Sequence, residues 1–171
     1  MSQPDQKDQI PQAAAGRKSG ASELRQIARA LQLFPPPQFS IFDLVTRWQC
    51  SRSSVERFRK KYQLKSSGPA DEHPRFDLID ILRIEKIPDP EAAWALGSDD
   101  DRRIFSAPLL SIEDLQLLDP CLSDRSLETF RRRARAGKRA AFKLGNRWLF
   151  RPEISDLERL RLLTPGHPGG M

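Results

Sequence analysis

The chain repeats itself. "FSIFDL" at 39–44 is matched by "LSIEDL" at 110–115, an offset of 71 residues, and "SRSSVERFRKK" at 51–61 is matched by "SDRSLETFRRR" at 123–133, an offset of 72. Two matched blocks in the same order, with one residue inserted between them, constrain the fold strongly, because an internal repeat means one supersecondary unit used twice. A length of 171 residues with 38% hydrophobic content suits two small units with modest cores.

Each copy reads the same way locally. Ser40 and Ser111 stand at helix N-cap positions, and Asp43 and Asp114, three residues on, complete an Asp variant of the capping box at the positive end of a helix. The first helix ends near Trp48 or Leu118. Ser51 and Ser123 then cap a second helix after a tight turn, giving a helix-turn-helix in each copy. Helical spacing puts Val55, Phe58 and Tyr62 on the buried stripe of the second helix in copy one, and Leu127, Phe130 and Ala134 in copy two. The opposite face carries Ser53, Arg57 and Lys60 in one and Arg125, Thr129 and Arg132 in the other, with Glu56 and Glu128 flanking it.

Copy two continues into "AFKLGNRWLFR", where Phe142, Leu144, Trp148 and Phe150 alternate around Gly145-Asn146. This predicts a hairpin with a type II′ turn and a basic outer face of Lys143, Arg147 and Arg151, a β wing. Copy one has "YQLKSSGPADEHPRF" here, longer, acidic and with two prolines, so its wing is degenerate or differently shaped. A closing helix follows in each copy. Leu78, Ile81, Leu82 and Glu85 come after Asp77, and Ile154, Leu157, Leu160 and Leu163 come after "RPE", with Pro152 suited to a first turn.

Outside the copies, residues 1–20 read as a disordered lead. Residues 21–38 hold a short helix capped by Ser22, with the stripe Leu24, Ile27, Ala28 and Leu31, and a Pro-rich linker. Copy one spans 39–87 and copy two 108–163, with a tail at 164–171. The acidic connector 88–107 is expected to hold one short helix near Ala92 to Leu96 and an acidic turn at Asp99 to Asp101, loosely packed by Trp94. The fold class expected is mainly α with small β wings, two tandem winged helix-turn-helix modules. Across such a connector the second module would search at an effective concentration near ~1 mM once the first has docked.

The net charge of +6 is unevenly placed. Residues 39–69 carry seven basic and two acidic groups, 70–105 five and ten, and 106–151 ten and five, so two cationic blocks flank an acidic one. This is the footprint of a polyanion binder, and 21 of the 29 basic residues being Arg favours bidentate contacts with phosphate or guanine. Cys50 and Cys121 have no partner at metal-ligand spacing and are expected as small buried packers, and His73 and His167 lie in Pro/Gly-rich segments. No metal, no cofactor and no enzymatic activity are therefore expected. "MSQPDQKDQIPQ" lacks the pattern of a secretory signal and no run of eighteen apolar residues occurs, so the expected place is the cytoplasm, at the nucleoid, with no membrane association.

"LLSIEDL", "SDRSLETFRRR" and above all "KLGNRWLFRPEISDLERL" resemble the helix-turn-helix and wing of MerR-like and phage excisionase DNA-binding domains, well over 110–160 and less well over 39–87, which lacks the Gly-Asn-Arg-Trp wing. Lys143, Gly145, Arg147, Trp148 and Asp156 match the wing pattern of that family. The resemblance implies a second helix in the major groove and a wing on the backbone or minor groove; the long dimerisation helix and effector domain of the sensing members have no counterpart here. Base reading then falls to Arg125, Thr129 and Arg132 and to Ser53, Arg57 and Lys60. Arg131, Arg133, Lys138, Arg139 and Lys61, with the wing residues Lys143, Gly145, Asn146, Arg147 and Arg151, would meet phosphates. The expected function is sequence-specific binding of double-stranded DNA at a paired site, as a transcriptional regulator or an excision factor of a mobile element or phage. The alternative is the DNA-recognition subunit of a larger machine, such as a terminase small subunit or a partition or relaxosome accessory protein. A homo-oligomer, or a recombinase or machine partner, stays open.

Overall fold

The computed structural model describes residues 19–67, 73–119 and 125–163. Along them run α1 (Ser19–Leu33), β1 (Gln38–Ser40), α2 (Ile41–Trp48), α3 (Arg52–Lys61), β2 (Arg75–Asp77), α4 (Leu78–Ile84), α5 (Pro90–Leu96) and α6 (Asp99–Ser106), then α7 (Ile112–Leu118), α8 (Leu127–Arg135), β3 (Ala141–Leu144), β4 (Arg147–Phe150) and α9 (Ile154–Leu163). The fold is mainly helical, with two small antiparallel two-stranded sheets, β1–β2 and β3–β4.

Both halves use the same local devices. Asp43 N–H donates to Ser40 Oγ (3.2 Å) while Ser40 N–H donates to Asp43 Oδ2 (2.7 Å); Ser111 and Asp114 repeat this reciprocal pair at 3.1 and 2.8 Å. Each box satisfies amide donors that the first turn of α2 or α7 would otherwise leave without acceptors. Phe39, just before α2, pairs with Phe76 of β2, as Leu110, just before α7, bridges to Phe150 of β4. In the first half the described residues show a single bridge, Ser67 to Arg75, where the second half has the full β3–β4 ladder.

Three elements start or end away from their expected places. Helix α1 begins at Ser19, before Ser22, and its stripe rotates: Ile27 is buried and Leu31 half-buried, whereas Leu24 is 68% exposed and Ala28 is exposed. Residues 1–18 lie outside the described residues. Helix α8 is capped by Ser126, whose Oγ accepts from Thr129 N–H, so it starts a turn later than a Ser123 cap would place it; Ser123 itself lies outside the described residues. Leu127 thereby becomes the first helical residue and is 46% exposed, leaving Phe130 and Ala134 to make the contact with the core. Pro152 is buried but precedes α9 by two residues, and Leu163 at the far end of that helix is exposed.

The connector is built structure. Ser98 and Asp101 form a further capping box that turns the acidic run Asp99 to Asp101 into the first turn of α6. Trp94 of α5 is 5% exposed against Leu78, Ile79 and Leu82 of α4, and its indole N–H donates to the Phe34 carbonyl (2.8 Å). Helix α4 therefore buries Leu78, Ile79 and Leu82 toward α5, and Ile81 and Ile84 toward the first core.

The β3–β4 hairpin decides how the halves meet. Gly145, at φ +61°, opens the two-residue turn, and Asn146 keeps negative φ, as a type II′ turn requires. Leu144 stands opposite Arg147 and Phe142 opposite Leu149, so residues on one face have even numbers on β3 and odd numbers on β4. Phe142, Leu144 and Leu149 consequently leave on one side and join Ile41, Leu44, Trp48, Val55 and Phe76 of the first half. Ala141, Trp148 and Phe150 leave on the other and join Ile112, Leu115, Leu118 and Phe130 of the second. The expected single aromatic face of Phe142, Leu144, Trp148 and Phe150 is replaced by two buried faces. Burying each large apolar side chain of the hairpin contributes about 1.5–3 kcal/mol, so the two halves share a core and are not units swinging on a tether.

Candidate nucleic-acid interface

Between the halves lies a buried ion triad. Glu85, the C-cap of α4 and 3% exposed, accepts from Arg47 Nε (2.6 Å) and Nη2 (2.9 Å), from the Trp48 indole (3.0 Å) and from Arg151 Nη2 (2.7 Å). Burial pushes the Glu85 carboxyl upward, but the charges and hydrogen bonds of Arg47 and Arg151 outweigh it and hold the group below its usual range. Burial also lowers the Arg151 guanidinium, with Glu85 opposing. Further bonds cross the same seam. Arg47 donates to the Ala107 carbonyl, Gln49 donates through its amide to the Leu109 carbonyl and to Asp114, and Arg147 donates to the Gln49 carbonyl. Gln49 can serve in this way because, as the left-handed C-cap of α2 (φ 48°), it turns its carbonyl and side chain toward the second half.

Ion pairing removes two residues from the expected contact surface. Arg151, read as a wing contact, is 8% exposed, bound to Glu85 and packed over the Phe105 ring at 5.4 Å. Arg139, read as a phosphate contact, pairs with the buried Asp156 and keeps only 17% of its side chain exposed. Each has its carboxylate on a distant element, α4 or α9, which spacing along a single element does not display.

The second helices keep most of their cations free. On α3, Ser53, Arg57, Lys60 and Lys61 are exposed, and Arg59 takes up Glu56 (3.0 Å). On α8, Arg131, Arg132 and Arg133 are exposed, and Glu128 lies 2.9 Å from Arg135 and 3.8 Å from Arg131. Among the described residues Arg57, Lys60, Lys61, Arg132, Arg133, Lys138 and Lys143 form no ion pair with a carboxylate. Two expected reading residues of α8 fall elsewhere. Arg125 precedes the helix, exposed, with its carbonyl accepting from Gln116, and Thr129 is half-buried at the third helical position with its hydroxyl 3.1 Å from Ser126 Oγ.

The hairpin tip lies between these helices. On one side a groove of about 440 Å³ separates it from α3, lined by Cys50, Arg57, Phe58, Lys61, Asn146 and Arg147 among others. On the other, a recess of about 140 Å³ is lined by Glu113, Leu127, Arg131, Asn146, Arg147 and Trp148. Lys143, Gly145 and Asn146 are exposed there. Burial raises the Cys50 thiol while Arg147 and Arg57 act on it in the opposite sense. Cys50 is a free, half-buried cysteine packed against the first core; Cys121 and His167 lie outside the described residues.

Sequence reasoning missed Arg47 and Glu85. A signal for them existed: Arg47 occupies the stripe position that Leu118 fills in the second copy, and Glu85 ends the apolar stripe of α4. Opposite charges on two stripes that both face the core call for each other.

Comparison with protein-family models, with curated proteins and with solved structures found no match. No helix among the described residues is long and apolar enough to cross a membrane, and no group of three or more His, Cys, Asp or Glu among them could hold a metal ion.

Proposed function

We propose that this chain is a sequence-specific double-stranded-DNA-binding protein built from two winged helix-turn-helix units. Its biological role would be that of a transcriptional regulator or an excision factor of a mobile element or phage, acting at the nucleoid. The observation that carries this reading is the division among the cations: Arg47 and Arg151 are buried on Glu85 and Arg139 pairs with Asp156, whereas Arg57, Lys60 and Lys61 of α3 and Arg132 and Arg133 of α8 are exposed without a carboxylate. Like charges gathered on a surface repel, and a polyanion relieves that repulsion. Arg132 with Ser53 and Lys60 would meet base edges, where Arg forks onto guanine and Ser makes a single bond. Arg131, Arg133, Lys138 and Lys143 would meet phosphates.

The test is selection of bound fragments from a random duplex pool at two salt concentrations. Neutralising six to ten phosphates makes affinity fall roughly 10³- to 10⁵-fold between about 50 and 200 mM salt. Arg132→Ala should cost about 1–3 kcal/mol at one base position, and Lys138→Ala should weaken all sequences alike and reduce the salt slope by about one. No retention of any duplex at low salt refutes the proposal; retention without sequence enrichment refutes its sequence-specific part.

A further inference from the structure

The hairpin of the second half stands beside the second helix of the first. Gly145 lies against Phe58 of α3, so that a Cβ built on the glycine would stand 3.5 Å from the Phe58 ring edge. Phe142, Leu144 and Leu149 anchor the strands in the first core, and Arg147 donates to the carbonyl of Gln49, in the turn between α2 and α3. In its own half the described residues between α3 and β2 contribute one bridge, Ser67 to Arg75. Resting on the DNA-binding reading above, we propose that the β3–β4 hairpin serves as the wing of α3, and that Arg57, Lys61 and Arg147 close on one backbone phosphate of duplex DNA in the groove between them.

The groove has the chemistry for that ligand. None of the residues lining it is acidic, so three cations from two halves of the chain face one space with no carboxylate among them. Arg57 spends one nitrogen on Ser54 Oγ (3.3 Å) and Arg147 one on the Gln49 carbonyl, and the remaining nitrogens of both carry no hydrogen bond among the described residues. Both guanidiniums line the groove beside the same thiol, Cys50. A glycine at the tip lets a backbone approach closely, and Asn146 beside it offers an amide donor. A phosphate held by cations from both halves also fixes the register of α3 in the groove it would read, a positioning contact and not a base contact.

The experiment is a double-mutant cycle on the full chain, with affinity for a selected duplex measured for Arg57→Ala, Arg147→Ala and the pair. Each single change should weaken binding about tenfold, and the pair should fall no more than about threefold below the weaker single variant, against about tenfold below it for independent contacts. Lys143→Ala, on the hairpin face opposite Arg147, should instead multiply with Arg57→Ala. Ethylation interference should mark one phosphate in the unaltered protein that disappears in both single variants. Multiplicative losses for Arg57 and Arg147, or the loss of two different phosphates, overturn this inference while leaving DNA binding intact. If Arg147→Ala lowers the melting midpoint, Arg147→Gln, which keeps a donor for the Gln49 carbonyl and loses the charge, is used for the cycle and the same two outcomes decide. Absence of duplex binding by the unaltered chain overturns the reading beneath it.

Discussion

Glu85→Gln tests the claim that the two halves are one body. The carboxylate accepts hydrogen bonds from Arg47, Trp48 and Arg151, and the side chains of Arg47 and Arg151 are only 1% and 9% exposed. Glutamine keeps one acceptor oxygen and sets an NH2 group against donors. The charge that balanced two buried guanidiniums is gone, and among the described residues the only other acceptor they have is the Ala107 carbonyl. Removing one partner of a buried ion pair costs about 3–5 kcal/mol. At roughly 2–4 °C per kcal/mol for a chain of this size, the melting midpoint should fall by about 6–20 °C. Urea unfolding followed by tryptophan fluorescence reads the change directly, since the Trp48 indole bonds the same carboxylate. The acid limb supplies a second readout. The folded carboxyl sits below its ordinary 4.5, so its stabilisation is complete above that value and is lost as pH falls through the lowered one; Glu85→Gln should lack that part of the limb. Replacing Arg47, Glu85 and Arg151 together by Met removes the orphaned charges and should recover most of the loss. A cost below about 1 kcal/mol for Glu85→Gln, or a triple variant as unstable as the single, would refute the reasoning.

Three further outcomes follow from the packing. Leu149→Ala, at a site with no exposed surface in the shared core, should cost about 2–5 kcal/mol and leave a single unfolding transition; two resolved transitions in chemical denaturation would contradict a common core. Gly145→Ala forces a β-carbon into φ +61° and should cost about 1–2 kcal/mol in the same assay, with ordinary van der Waals contact to Phe58 adding no clash. Ser111→Ala should lower stability by about 1 kcal/mol through the lost cap, and Asp114→Ala by more, because Asp114 also receives the Gln49 amide across the seam.

The parts legible from sequence were those whose partners lie within a few residues. Ser40 with Asp43 and Ser111 with Asp114 make contacts three residues apart, and the ends of α2 at Trp48 and α7 at Leu118 follow from the same short-range spacing. The Gly145-Asn146 turn was likewise readable, because positive φ at one position selects glycine. Alternation along each strand was counted correctly, but not the relation across the turn. A two-residue loop places Leu144 opposite Arg147, and that alone puts Trp148 and Phe142 on different faces. Arg151 and Arg139 read as free cations because Glu85 and Asp156 stand on other elements, and a charge does not reveal in sequence which distant carboxylate it meets. Ser126 displaced Ser123 as the cap of α8 because both positions suit a cap, which left Arg125 ahead of the helix.

By itself, then, the chain's order of residues determined a duplicated plan of short capped helices, a glycine-opened hairpin and two cationic helices, since all of these depend on neighbours within a turn or two of backbone. Tertiary structure alone decided that the hairpin is buried on both faces, that Arg47, Glu85 and Arg151 join across the seam, and that Arg147 faces α3 of the other half. These depend on which apolar faces exclude water together, a property of surfaces brought close from positions 38 to 98 residues apart.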